Sequence, residues 1–141
     1  MKNWELLSAP GISTLDIDML GEKINTRLWL HTQLSELSGY PASICVSVNN
    51  EVVHGIPNDS HILKDGDIVS LDAGLIYKGY HSDAARTHGV GTISEDAKNL
   101  IAVTRQSFFE GIKQAREGNH LYDISAAIDD YVSQFGYGIV H

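Results

Sequence analysis

Residues 68–90 decide the fold: Ile68-Val69-Ser70-Leu71-Asp72-Ala73-Gly74-Leu75-Ile76-Tyr77, then Lys78-Gly79, then Tyr80-His81-Ser82-Asp83-Ala84-Ala85-Arg86-Thr87-His88-Gly89-Val90. Val69, Leu71, Ala73 and Leu75 alternate with Ser70, Asp72 and Gly74, the period of two that marks a half-buried strand. Lys78-Gly79 reads as a two-residue turn into an antiparallel strand running to about Val90. That turn pairs Tyr77 with Tyr80 and Gly74 with Asp83. Asp83 then falls on the face of Asp72, at a diagonal cross-strand position. The apolar face takes the core, so the two carboxylates share the opposite face. Such a pair repels unless it shares a proton or a cation, and its oxygens suit a hard or borderline divalent metal. Two acids hydrated on an open sheet face would show the same spacing.

Upstream, Ser13-Thr14-Leu15-Asp16 reads as a helix start, a hydroxyl cap with an acid three residues on. Ile17, Leu20, Ile24 and Leu28 follow at helical spacing, predicting a helix to about Leu34. From Ser43 the period changes to two. Ile44, Val46 and Val48 alternate with Cys45 and Ser47, and Asn49-Asn50 predicts a hairpin turn into a return strand, Glu51-Val52-Val53-His54. His54 thus ends a strand and enters the constrained loop Gly55-Ile56-Pro57, where an imidazole can donate a hydrogen bond or shuttle a proton near neutral pH. A loop histidine without a role would look the same. Cys45 is either a soft, polarizable pocket wall or an inert buried thiol.

Downstream, Ser94 caps a helix carrying Leu100, Val103, Ser107 or Phe108, and Ile112, and a last helix carries Ile124, Ala127, Ile128, Tyr131 and Phe135, with Gly136 at its end. Gly11-Ile-Ser-Thr-Leu-Asp16-Ile17 is echoed by Gly118-Asn-His-Leu-Tyr-Asp123-Ile124 at a constant offset. Each of those two helices precedes a Gly-Tyr pair, Gly39-Tyr40 and Gly136-Tyr137. The echo predicts a pseudo-symmetric fold; two amphipathic helices with common turn starts would also echo each other by chance.

A length of 141 residues with 43% apolar residues suits one packed domain. The net charge of −8, with no basic run, argues against a nucleic-acid partner, because nothing clusters to displace phosphate counterions. The single cysteine excludes an intrachain disulfide and a cysteine-based zinc site. No apolar run approaches the ~20 residues of a membrane span, and no signal-peptide pattern opens the chain. A cytoplasmic protein without a membrane partner is the expectation.

Four segments together carry a resemblance: Tyr40-Pro41-Ala-Ser43-Ile44-Cys45-Val-Ser47-Val48-Asn49, Val53-His54-Gly55-Ile56-Pro57, Leu63-Lys-Asp65-Gly66-Asp67-Ile68-Val69 with Leu71-Asp72-Ala-Gly74, and Gly79-Tyr80-His-Ser-Asp83-Ala-Ala-Arg86-Thr. They resemble type I methionine aminopeptidase, from about Pro10 to Val140. The resemblance implies half of a pita-bread fold, in the α/β (α+β) class, with a curved antiparallel sheet and helices on one face. It implies one incomplete domain over 1–141, without the family's C-terminal half and first helix. Asp72 and Asp83 would be metal ligands, and His54 the catalytic residue that bonds the substrate backbone. Tyr40 and Cys45 would line the pocket for the initiator methionine. The implied reaction is metal-assisted removal of that methionine from nascent proteins. The complete family site holds two divalent ions (Co, Mn, Fe or Zn), and with two of five ligands present only weak or partial occupancy is expected here. The truncated chain is therefore expected to lack activity alone and to self-associate through its exposed half-sheet. The alternative is a non-catalytic pita-bread module that binds a peptide or protein.

Overall fold

The computed structural model describes residues 9–27, 31–32 and 39–140. It forms two compact units, Met1–Ser94 and Glu95–His141.

The first unit holds helix α1 (Thr14–Arg27) and strands β1 (His31–Thr32), β2 (Cys45–Val48), β3 (Ile68–Tyr77) and β4 (Tyr80–Gly89). All pairings are antiparallel and β3 is central. Along one edge of β3 runs β4 over its full length, in the expected register, with Tyr77 opposite Tyr80 and Gly74 opposite Asp83. The other edge is shared, since β2 pairs with Val69–Asp72 and β1 with Leu75–Ile76. Lys78 and Gly79 both take positive φ, 51° and 80°, the geometry that lets a two-residue turn follow the strand twist.

The apolar face of this sheet is the core. Ile44, Val46, Val48, Val69 and Leu71 pack with Ile17 of α1, with Leu63 and with Val90. α1 starts as its sequence indicates: Asp16 N donates to Ser13 Oγ at 3.1 Å, and Ser13 N donates back to Asp16 Oδ2 at 3.0 Å. α1 is fastened to β2 by Asp18, 7% exposed, whose Oδ1 accepts the amides of Ser43 and Ile44, both at 2.8 Å.

Two expectations fail here. The first helix does not run to Leu34, because His31–Thr32 is strand β1 on the edge of β3. A short apolar stretch fits either period, and an open sheet edge with unpaired amides decides for the strand. Residues 33 and 34 lie outside the described residues. Nor does Glu51–His54 return as a strand. Glu51 N donates to Val48 O at 3.1 Å and its Oε2 accepts Val48 N at 2.7 Å, which closes a turn on the end of β2. β2 finds its ladder with β3 instead.

The second unit is a helical hairpin, α2 (Glu95–Ile112) and α3 (Leu121–Ser133). The helices approach closely at Gly111, where an added Cβ would lie 2.6 Å from Ile128 Cγ1. The end of α3 is capped at Gln134, and Gly136 follows with φ of 76°. The echo is visible in the backbone. Gly11 and Gly118 have φ of 90° and 89°, Gly39 and Gly136 both 76°. His120 N donates to Asp123 Oδ2 at 2.7 Å, as Ser13 N does to Asp16.

Candidate metal centre and its cleft

The polar face of the sheet is laid out by register. Cys45 of β2 stands opposite Asp72 of β3, and Asp72 opposite Ala85 of β4. One row on, Ser47, Ser70 and Thr87 are aligned across the three strands, and the Ser70 and Thr87 hydroxyls share a hydrogen bond of 2.8 Å. Asp83, opposite Gly74, is the diagonal neighbour of Asp72 on this face, and glycine leaves that position without a side chain.

The two carboxylates meet. Partial burial pushes the Asp72 carboxyl above its usual range, and the Asp83 charge pushes the same way. A hydrogen bond with Asp83 pushes it the same way, and the His54 imidazole opposes the shift. Asp72 therefore senses both Asp83 and His54. Burial and the like charge of Asp83 both favour a proton or cation at Asp72.

His54 lies outside any strand or helix, with φ of 58°. Its Nδ1 is 4.0 Å from Cys45 Sγ. Cys45 is 1% exposed, and burial raises its thiol pKa, with Asp72 and Asp83 adding to the rise. A thiol kept protonated at neutral pH is a pocket wall rather than a nucleophile. Burial and Cys45 likewise hold the half-buried Tyr40 phenol well above its ordinary value, and its hydroxyl donates to Gly55 O at 2.8 Å.

All five residues singled out from the sequence thus gather on one side of the sheet. Among the described residues, no group of three or more histidine, cysteine or acidic side chains is placed to enclose a metal ion. The oxygen pair of Asp72 and Asp83 fits a divalent cation in donor type and supplies part of a shell. Sequence reasoning passed over Ser47, Gly55 and Asp18. Asp18 was detectable, since it stands at the i+4 position from Thr14 and beside Ile17, on the stripe of α1 that must be buried.

The model of metallopeptidase family M24 matches residues 2–141. The chain belongs to metallopeptidase family M24. It is 48% identical over 136 residues to the methionine aminopeptidase of Clostridium acetobutylicum, covering 96% of this chain and 54% of that protein. It is 50% identical over 131 residues to that of Clostridium perfringens, covering 93% and 52%. Among solved structures, the methionine aminopeptidase of Thermotoga maritima superposes with a TM-score of 0.94 at 36% identity, covering 99% of this chain and 56% of the other. This M24 chain spans about half the length of the curated relatives it matches, and its fold is that of half a pita-bread metallopeptidase. Among the described residues, no helix is long and apolar enough to cross a membrane.

Proposed function

We propose that this chain supplies the N-terminal half of a methionine aminopeptidase active site, as one incomplete domain, acting on N-terminal methionine peptides of nascent proteins in the cytoplasm. The observation that carries this is the meeting of Asp72 and Asp83 on the polar face of β3 and β4, with His54 beside them. Asp72 and Asp83 are the ligands this chain offers to divalent metal, and such a metal supplies Lewis-acid polarisation of the scissile carbonyl. His54, exposed at the rim, donates a hydrogen bond to the substrate backbone. Cys45 and Tyr40 present a soft thiol and an aromatic ring, the surfaces on which a thioether side chain packs well.

Two carboxylates form a poor cage, so metal binding by the chain alone is weak. Titration calorimetry with Mn²⁺ or Co²⁺ tests the site: weak binding is expected, and Asp83→Asn should abolish it. Tight binding that survives Asp83→Asn would place the ligands elsewhere. No binding at all, together with capture of a peptide lacking an N-terminal methionine, would favour the non-catalytic module. The chain by itself is expected not to turn over Met-Ala peptides. Self-association through the exposed half-sheet is part of the same reading, because the residues of β4 from Tyr80 to Ala85 are exposed. A stable monomer by light scattering at high concentration would refute that part.

A further inference from the structure

His54 occupies a left-handed backbone conformation, uncommon for an L-residue, with φ of 58°. The next peptide is tied to β2 and to Tyr40. Gly55 is buried, its N–H donates to Ser47 Oγ at 3.0 Å, and its carbonyl accepts from Val46 N at 2.9 Å and from the Tyr40 hydroxyl at 2.8 Å. The approach to β2 is so close that a Cβ on Gly55 would lie 2.3 Å from Val46 O. Ser47 is itself 4% exposed and shares the face of Cys45 and Asp72.

We propose that Ser47 is a positioning residue for His54: its hydroxyl, with that of Tyr40, pins the Gly55 peptide to β2 and so fixes the imidazole over Cys45. Without that hydroxyl the buried Gly55 N–H loses its acceptor, and the loop lifts to find water. The consequence for catalysis rests on the role given to His54 above. The clamp itself does not.

The chain's single cysteine is a built-in reporter, because Cys45 is buried and its Sγ lies 4.0 Å from His54 Nδ1. The experiment is the rate of Cys45 alkylation by iodoacetamide at fixed pH in the full chain, for wild type, Ser47→Ala, Ser47→Thr, His54→Ala and the Ser47→Ala/His54→Ala double variant. His54→Ala uncovers the thiol directly. Ser47→Ala should speed alkylation about tenfold, the factor that one lost hydrogen bond allows. Ser47→Thr keeps the hydroxyl and should stay near the wild-type rate. The double variant should react no faster than His54→Ala alone, since both act through one side chain. Multiplying effects, or a wild-type rate for Ser47→Ala, would overturn the proposal. If Ser47→Ala does not fold, Tyr40→Phe removes the other side-chain anchor of the same peptide and must show the same dependence on His54. The cycle contains no metal and no peptide, so its failure is distinct from a failed metal titration.

Discussion

Replacing Gly55 by alanine sets two opposed effects against each other, and the structure says which wins. Gly55 lies outside the left-handed region, so alanine there should stabilise by about 0.4–1 kcal/mol through the unfolded chain. Against this, the new Cβ would stand 2.3 Å from Val46 O and 2.8 Å from both Val46 C and Ser47 Cα. These are backbone atoms of β2, which cannot swing aside as the tip of a side chain can. Restoring ordinary contact requires the 54–56 segment to move by about 1 Å. That movement breaks the bonds from Val46 N, from Tyr40 and to Ser47, now 2.9, 2.8 and 3.0 Å long. At about 1 kcal/mol each the loss is about 3 kcal/mol, and the net effect about 2 kcal/mol of destabilisation. Urea unfolding followed by circular dichroism should show a midpoint roughly 1 M lower. Gly138→Ala is the control, because nothing lies within 4 Å of a Cβ at that position. A Gly55→Ala midpoint at or above wild type would refute the clamp of the loop on β2.

Asp18→Ala should cost about 2–4 kcal/mol in the same assay, because two amides, one of them buried, lose a charged acceptor. Asp18→Asn keeps the oxygen and should cost about 1 kcal/mol. For Asp72, the folded carboxyl titrates above the unfolded value of 3.8, so the folded state binds more protons between the two values and stability falls as pH rises through the folded one. Asp72→Asn should remove that fall and be the more stable protein at neutral pH without metal. A parallel pH profile for wild type and variant would contradict the meeting of the two carboxylates. Gly111→Ala gains helix propensity of about 1 kcal/mol but drives a methyl into Ile128 and Ile124. A thermal melt should show net destabilisation of about 1 kcal/mol.

The sequence by itself determined the β3–β4 hairpin, its register, and hence the shared face of Asp72 and Asp83. It could do so because alternation and a two-residue turn are local, and a register slip of one residue would bury the acids and expose Val69 and Leu71. It determined the Ser13–Asp16 cap for the same reason, since all its partners lie within one turn. Tertiary structure alone decided other features. His31–Thr32 became a strand because the edge of β3 offered it partners some forty residues away. β2 turned to β3 rather than to Glu51–His54, since β3 offers an apolar face to bury with its own. The placement of His54 depends on Ser47, Tyr40 and the missing side chain of Gly55, a set of contacts with no periodicity to betray it. Asp18 sits between these cases: a charge on a buried stripe signals that a partner exists, but only the packed chain shows that the partner is the entry to β2.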